Sequence, residues 1–354
     1  MNKIVYIILL LVFSSCDFLQ SEEEKRNFDN SEIEFLDFEL TNFELEEPWE
    51  DLFLGFINVI KVDSIWHLWY ETFNSDSKLY DNPSFNTFMN YAYSKDGINW
   101  IKPKLNIQEY FELDNNIIHF NNFEENKGLH GFSVFYDIEA RYDERFKIVY
   151  LKYDVEKSIS YLYGAVSSDG LNWKAERPLM NIHSDTQTTL FYHNGKYRLY
   201  YRYLNNINGN RYRQIGYGSS ESFDNNFKKN TISFSLENET STMHFYNNAA
   251  RPLNDKTVIM FPSVFDVSKN NMLLYTSKSS INDYAIFNEL KPINLPSDTF
   301  KIKYAAPQSI EVTGEENTYW LYLSLNTNGH DNWRNIQERY QGYIGRIKFK
   351  VNEN

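Results

Sequence analysis

Ser94-Lys95-Asp96-Gly97-Ile98-Asn99-Trp100 and Ser167-Ser168-Asp169-Gly170-Leu171-Asn172-Trp173 are one turn written twice, with Asp96 and Asp169 73 residues apart (96 to 169). An Asp-Gly pair supplies the positive-φ corner of a hairpin. The Trp that follows returns on an outer strand and caps a sheet. Working back from each turn, the preceding segment reads as a strand: Met89–Ser94 in the first copy, Tyr161–Ser167 in the second.

Further back stands a second strand, which begins at a polar turn and then alternates or runs apolar. It occurs as Ser64–Tyr70 (SIWHLWY), Glu144–Tyr150 (ERFKIVY), Gly195–Tyr201 (GKYRLYY), Lys256–Phe261 (KTVIMF) and Asn317–Tyr322 (NTYWLY). Ahead of each lies an apolar strand: Leu54–Val62, Phe132–Asp137, Thr188–Tyr192, Ala249–Leu253 and Pro307–Val312. The third strands of the later copies are Gln214–Ser219, Met272–Ser277 and Tyr343–Lys348, and their turns degrade to Ser220-Glu221-Ser222-Phe223 and Ser279-Ser280-Ile281-Asn282. Repeats of about 50–80 residues, each of three or four antiparallel strands with no amphipathic helix between them, are propeller blades. The sequence predicts an all-β, five-bladed β-propeller over residues 41–354.

The ends set the expected compartment. Lys3 precedes the apolar run Ile4–Phe13, then Ser14-Ser15-Cys16. That pattern reads as a secretory signal peptide over residues 1–15, too short to span a bilayer. Cys16 is the chain's one cysteine. Its setting resembles the lipobox of bacterial lipoproteins, which implies acylation of Cys16 and a membrane anchor without a spanning helix. Residues 16–40 are expected to be an acidic tether. A Cys followed by a Glu-rich cluster resembles Bacteroidota lipoproteins, which leaves the outer membrane's cell surface or its periplasmic face open. The net charge of −13 argues against nucleic acid as a partner. A monomer is expected.

Glu47-Pro48-Trp49-Glu50-Asp51, Tyr93–Gly97, Pro103-Lys104-Leu105, His183–Gln187, Tyr246–Ala249 and Met260–Ser263 follow in order. Together they resemble bacterial propeller proteins related to glycoside hydrolase families 32 and 43, over nearly the whole mature chain. The resemblance implies a central funnel, carbohydrate as partner, and an acid on each of the first three inner strands. Hydrolysis of a glycosidic bond uses one acid to protonate the leaving oxygen and a carboxylate to activate water or attack carbon.

The catalytic candidates are therefore Asp51, Asp137 and Asp185. Asp51 is the expected base or nucleophile, although Glu47, Glu50 and Asp51 also read as a solvated loop. Asp137, at the far end of the blade-two strand that His130 enters, reads equally as a turn residue. Asp185 stands where the related families carry a glutamate general acid, one methylene shorter in reach. Substrate-binding candidates are Glu50, His130, Gln187, Arg202, Asn247, Asn248, Gln308 and His330. Counting back from the second strands puts Gln187, Asn247 and Gln308 in one register. A ring of amides suits sugar hydroxyls, and it equally suits backbone groups near the axis. Arg202 and Arg213 suit an anionic sugar or the surplus carboxylates, and His330 is expected to close the site.

No cofactor is expected. A channel calcium occurs in some relatives, but no acidic cluster here has loop-type ligand spacing. The sequence also lacks a Gly-x-Ser-x-Gly elbow, a phosphate loop and a His-Glu-x-x-His zinc motif. The expectation is an extracytoplasmic glycoside hydrolase-like protein, with a non-catalytic glycan-binding lipoprotein as the alternative.

Overall fold

Hydrogen bonds close the Asp-Gly turns from within. Asp96 Oδ1 accepts from Ser94 Oγ and from the backbone N–H groups of Ile98 and Asn99, each at 2.8 Å, and Asn99 Nδ2 donates to Oδ2. Asp169 repeats the set with Ser167, Leu171 and Asn172. Burial acts to raise the Asp96 carboxyl pKa, but these donors outweigh it and hold the group well below the usual carboxylate range.

Gly97 and Gly170 take φ of +74° and +73°, where an L side chain is strained. They also admit a neighbouring blade. Tyr322 Oη donates to the Gly97 carbonyl at 3.1 Å, and Trp69 Nε1 donates to the Gly170 carbonyl at 2.8 Å. A Cβ on Gly97 would collide with the Tyr322 hydroxyl, and one on Gly170 would lie 2.6 Å from Trp69 Cζ2. The repeated turn is therefore a blade-to-blade joint as well as a hairpin corner.

The structure, a computed structural model, describes residues 32–73, 87–110, 112–118, 130–154, 159–182, 184, 186–207, 210–224, 227–230, 242–281, 291–295, 302–331 and 342–352. After an opening strand, β1 (Glu32–Leu40), the first blade is β2 (Phe53–Val62), β3 (Ile65–Phe73) and β4 (Thr87–Ser94). The second is β5 (His130–Tyr136), β6 (Phe146–Asp154), β7 (Ile159–Ser167) and β8 (Lys174–Met180). The third is β9 (Thr189–His193), β10 (Lys196–Ile207), β11 (Asn210–Ser220) and β12 (Lys228–Asn230). β13 (Met243–Pro252), β14 (Thr257–Asp266), β15 (Asn271–Ser280) and β16 (Lys291–Ile293) make the fourth. The fifth joins β17 (Tyr304–Val312), β18 (Thr318–Asn326) and β19 (Gly342–Asn352) to β1. The fold is the five-bladed β-propeller expected.

The ring closes at β1, which pairs antiparallel with β19 from Glu32↔Asn352 to Leu40↔Gly345. The propeller boundary expected at residue 41 therefore moves to residue 32. The stretch Glu32–Leu40 alternates acidic and apolar residues (EIEFLDFEL), a strand pattern that its charge disguised as tether. Residues 1–31, with the expected signal peptide and Cys16, lie outside the described residues.

Apolar clusters glue each blade to the next, as a ring of twisted sheets requires. Ile60, Trp69, Phe132, Ile148 and Trp173 join blades one and two. Leu151, Leu162, Leu199 and Tyr201 join two and three, and Tyr200, Tyr217, Val258 and Met260 join three and four. Ile259, Phe261, Leu321 and Leu323 join four and five, and Leu54, Tyr70, Tyr322 and Ile344 close five onto one.

Candidate functional site

The inner strands β2, β5, β9, β13 and β17 run in the same sense around the axis, so their first residues share one mouth of the channel and their last residues the other. Four of them carry a register shift: Leu54/Ile57, His130/Ser133, Phe245/Asn248 and Pro307/Ser309. A bulge bends the strand and re-aims side chains. Here it turns polar groups across the axis.

Gln187, just ahead of β9, donates from Nε2 to the carbonyls of Phe132 (2.7 Å) in blade two and Ile57 (3.0 Å) in blade one. Asn247 Nδ2 donates to the Pro307 carbonyl in blade five at 2.9 Å, and its Oδ1 accepts from Ser263. Asn58 donates to Ser309 and accepts from the Val134 N–H, and Thr189 Oγ1 donates to the Asn248 carbonyl. These bonds staple all five blades near the axis. The donating arms of Gln187 and Asn247 are spent on backbone carbonyls, the second of the two roles open to the amide ring. Asn248 and Gln308 are buried too, and neither Asn248 side-chain atom nor Gln308 Nε2 has a partner among the described residues.

The mouth at the start of the inner strands gathers a different set. Glu71, near the end of β3, is fully buried, and its Oε1 meets His130 Nδ1 at 2.8 Å. Gly55 makes room for this carboxylate, since a Cβ there would lie 2.7 Å from Glu71 Oε2. Phe56 and Phe73 flank the His130 ring. Phe56 also stacks on Tyr246, whose ring carries the Arg202 guanidinium 4.1 Å above its centroid. His330 reaches the same ring, with Nε2 2.7 Å from Tyr246 Oη and Nδ1 2.8 Å from Asp331 Oδ1. Burial, reinforced by Arg202 and Arg213 and opposed by Asp331, pushes the His330 pKa down to about 4. A neutral ring donates from one nitrogen and accepts at the other. Asp331 can only accept, so Nδ1 carries the proton and Nε2 accepts a hydrogen bond from the Tyr246 hydroxyl.

The sequence-predicted acids are placed very differently. Glu50 is buried, and its oxygens accept from Tyr70 Oη, Lys102 Nζ and the N–H groups of Glu46 and Glu47. That bonding organises the loop entering β2. Asp51 is exposed on the same rim. Asp137 follows the last residue of β5, seven positions beyond His130, so about 20 Å of strand separates it from the entrance mouth. It is buried, accepts from Tyr197 Oη and lies 3.4 Å from the buried Lys147 ammonium. Asp51 and Asp137 therefore do not share one pit. Asp185 lies outside the described residues, although Thr186 beside it packs its backbone on Gly131.

Sequence reasoning missed Glu71, Phe56 and Tyr246. The available signal was Glu71 itself, a lone acid inside the strand Ile65–Phe73 whose neighbours are mostly buried. A carboxylate in such a strand is buried with a partner, and a partner from another blade marks a site between blades.

The class defined by this geometry is a five-bladed propeller with a buried acid–histidine pair at one mouth. Several solved structures share this architecture. A glycoside hydrolase superposes with a TM-score of 0.61 at 11% identity, over 92% of this chain and 94% of its own. An N-acetylgalactosamine deacetylase from F. plautii, in complex with blood group B trisaccharide, gives 0.57 at 11% identity over 90% and 95%. Zg3597, a family 117 glycoside hydrolase produced by the marine bacterium Zobellia galactanivorans, gives 0.54 at 10% over 91% of each chain. At these identities the likeness is one of fold. No protein-family model matches the sequence, and no curated protein matches it either.

Proposed function

We propose that the chain is an extracytoplasmic glycoside hydrolase-like protein that acts on a poly- or oligosaccharide at the entrance mouth. The observation that carries this reading is the buried Glu71 carboxylate, held by His130 beside the Phe56 and Tyr246 rings. Aromatic faces suit the apolar faces of sugar rings, and a desolvated carboxyl has the environment of a general acid or base. Glu71 takes one of the two carboxyl roles that glycoside hydrolysis needs, with Asp51 or Asp185 as its partner. Arg202, His330 and Tyr246 position the sugar. The test is turnover of a panel of plant and algal oligosaccharides by the purified chain, by Glu71→Gln and by Asp185→Asn. Loss in Glu71→Gln supports the reading, and turnover equal to that of the unaltered chain contradicts it.

A second reading, glycan capture without hydrolysis, rests on the occupancy of the acids. Glu50 is fully engaged and Asp51 is exposed. Tight binding of an oligosaccharide that is never cleaved would select this reading. For localisation we propose export through the Ile4–Phe13 signal and acylation of Cys16. Labelling of cells with a fatty-acid analogue, lost in Cys16→Ser, tests it.

A further inference from the structure

The ends of the inner strands enclose a cavity of about 470 Å³, to which β2, β5, β9, β13 and β17 all contribute. That volume falls within the range of small-molecule sites. The axial staples of Gln187 and Asn58 stand between this cavity and the entrance mouth.

Its polar lining is specific. Gln308 Nε2, on a side chain 7% exposed, has no partner among the described residues, and a buried donor left unpaired is costly. Three residues further on, the bond that Glu311 accepts among the described residues is a long one, 3.4 Å from the Lys61 N–H. Burial pushes its carboxyl pKa up to about 7, against the lowering pull of Arg251 and Lys61. Both cations have turned elsewhere. Arg251 donates to the Ile310 carbonyl and lies over Tyr319, while the Lys61 ammonium lies over Trp66. Phe135 and Tyr192 supply half-buried ring surface.

We propose that this opposite mouth is a second ligand site and that it binds a small neutral saccharide. The lining carries charges of both signs, Lys61 and Arg251 against Asp137, Glu139 and Glu311, and so favours neither a cation nor an anion. A polyhydroxylated neutral ring gives the Gln308 donor an acceptor, gives the Glu311 carboxyl hydroxyls to bond, and lays an apolar face on Phe135 or Tyr192. The site is separate from the Glu71 mouth and does not depend on what that mouth does.

The test uses an isosteric series, galactose, galacturonate and galactosamine, followed by ligand-observed NMR on the purified full chain and by soaking crystals of it. Galactose is expected to bind best, with its density against Gln308 and Glu311. Gln308→Leu and Glu311→Leu, checked for unchanged melting profiles, are expected to weaken it at least about tenfold. The soak locates the sugar even if both leucine variants fail to fold. Galactose bound only elsewhere, a preference for either charged analogue, unchanged affinity in folded leucine variants, or no binding at millimolar concentration would each overturn the proposal.

Discussion

Glu71 Oε1 and His130 Nδ1 meet at 2.8 Å, joining the second strand of blade one to the first residue of the inner strand of blade two. The pair is buried on the Glu side and about one-third open on the His side, so the imidazole is the part that a ligand touches first. Glu71→Gln keeps the shape and a hydrogen-bonding arm but removes the charge. It is expected to lower turnover by about 10²–10⁴-fold with little change in melting temperature. Steady-state kinetics on any cleaved oligosaccharide, beside a thermal melt, check it.

Asp137→Asn tests the opposite assignment. Asp137 sits with Lys147 at the far end of β5, and burial already lowers the Lys147 pKa despite the pull of Asp137. Removing the carboxylate strands a buried ammonium, which costs about 3–5 kcal/mol. The variant is expected to lose that stability in chemical denaturation and to keep the kcat of the folded fraction. A loss of kcat without a loss of stability would return Asp137 to the active site.

The blade joint gives a stability prediction with an internal control. Gly170→Ala places a Cβ against Trp69 at positive φ and is expected to cost about 2–4 kcal/mol, combining backbone strain with overpacking. Gly195 has φ +72° but nothing within 4 Å of where an alanine methyl would stand, so Gly195→Ala is expected to cost only the backbone share, about 1–2 kcal/mol. Equal costs in urea melts would remove the Trp69 contact from the explanation.

His330 predicts a pH dependence. Its folded pKa of about 4 lies below the ordinary 6.5, so between those values the unfolded chain binds the proton that the folded chain refuses. Its contribution is therefore whole above about pH 6.5 and is lost as pH falls towards 4, by no more than about 3 kcal/mol. The stability difference between the parent chain and His330→Gln is expected to shrink or reverse across that window. A difference that stays flat from pH 7 to pH 4 would show the ring is not held neutral.

The blades were legible because Asp-Gly corners and apolar second strands are local signals that repeat. The inner strands were less so. Those of blades four and five begin earlier than expected, at Met243 and Tyr304, because bulges at Phe245/Asn248 and Pro307/Ser309 interrupt the alternation. β1 escaped notice because its partner is the other end of the chain. The site was only partly legible. Register alone put Gln187 and Asn247 near the axis, but not which carbonyls would claim them. Asp137 was read at the far end of its strand, where it lies, and what failed was the expectation that it would nevertheless converge with Asp51. Glu71 hid in a second strand, where a search confined to inner strands does not look.

The central claim is that sugar is handled where the inner strands begin, around Glu71 and His130. A crystal structure of Glu71→Gln soaked with the oligosaccharide that the parent chain binds or cleaves tests it most directly. The account predicts a sugar ring on Phe56 or Tyr246, with a glycosidic oxygen or hydroxyl within hydrogen-bond reach of residue 71 or His130. A well-ordered saccharide bound elsewhere, with that mouth holding only solvent, would contradict it.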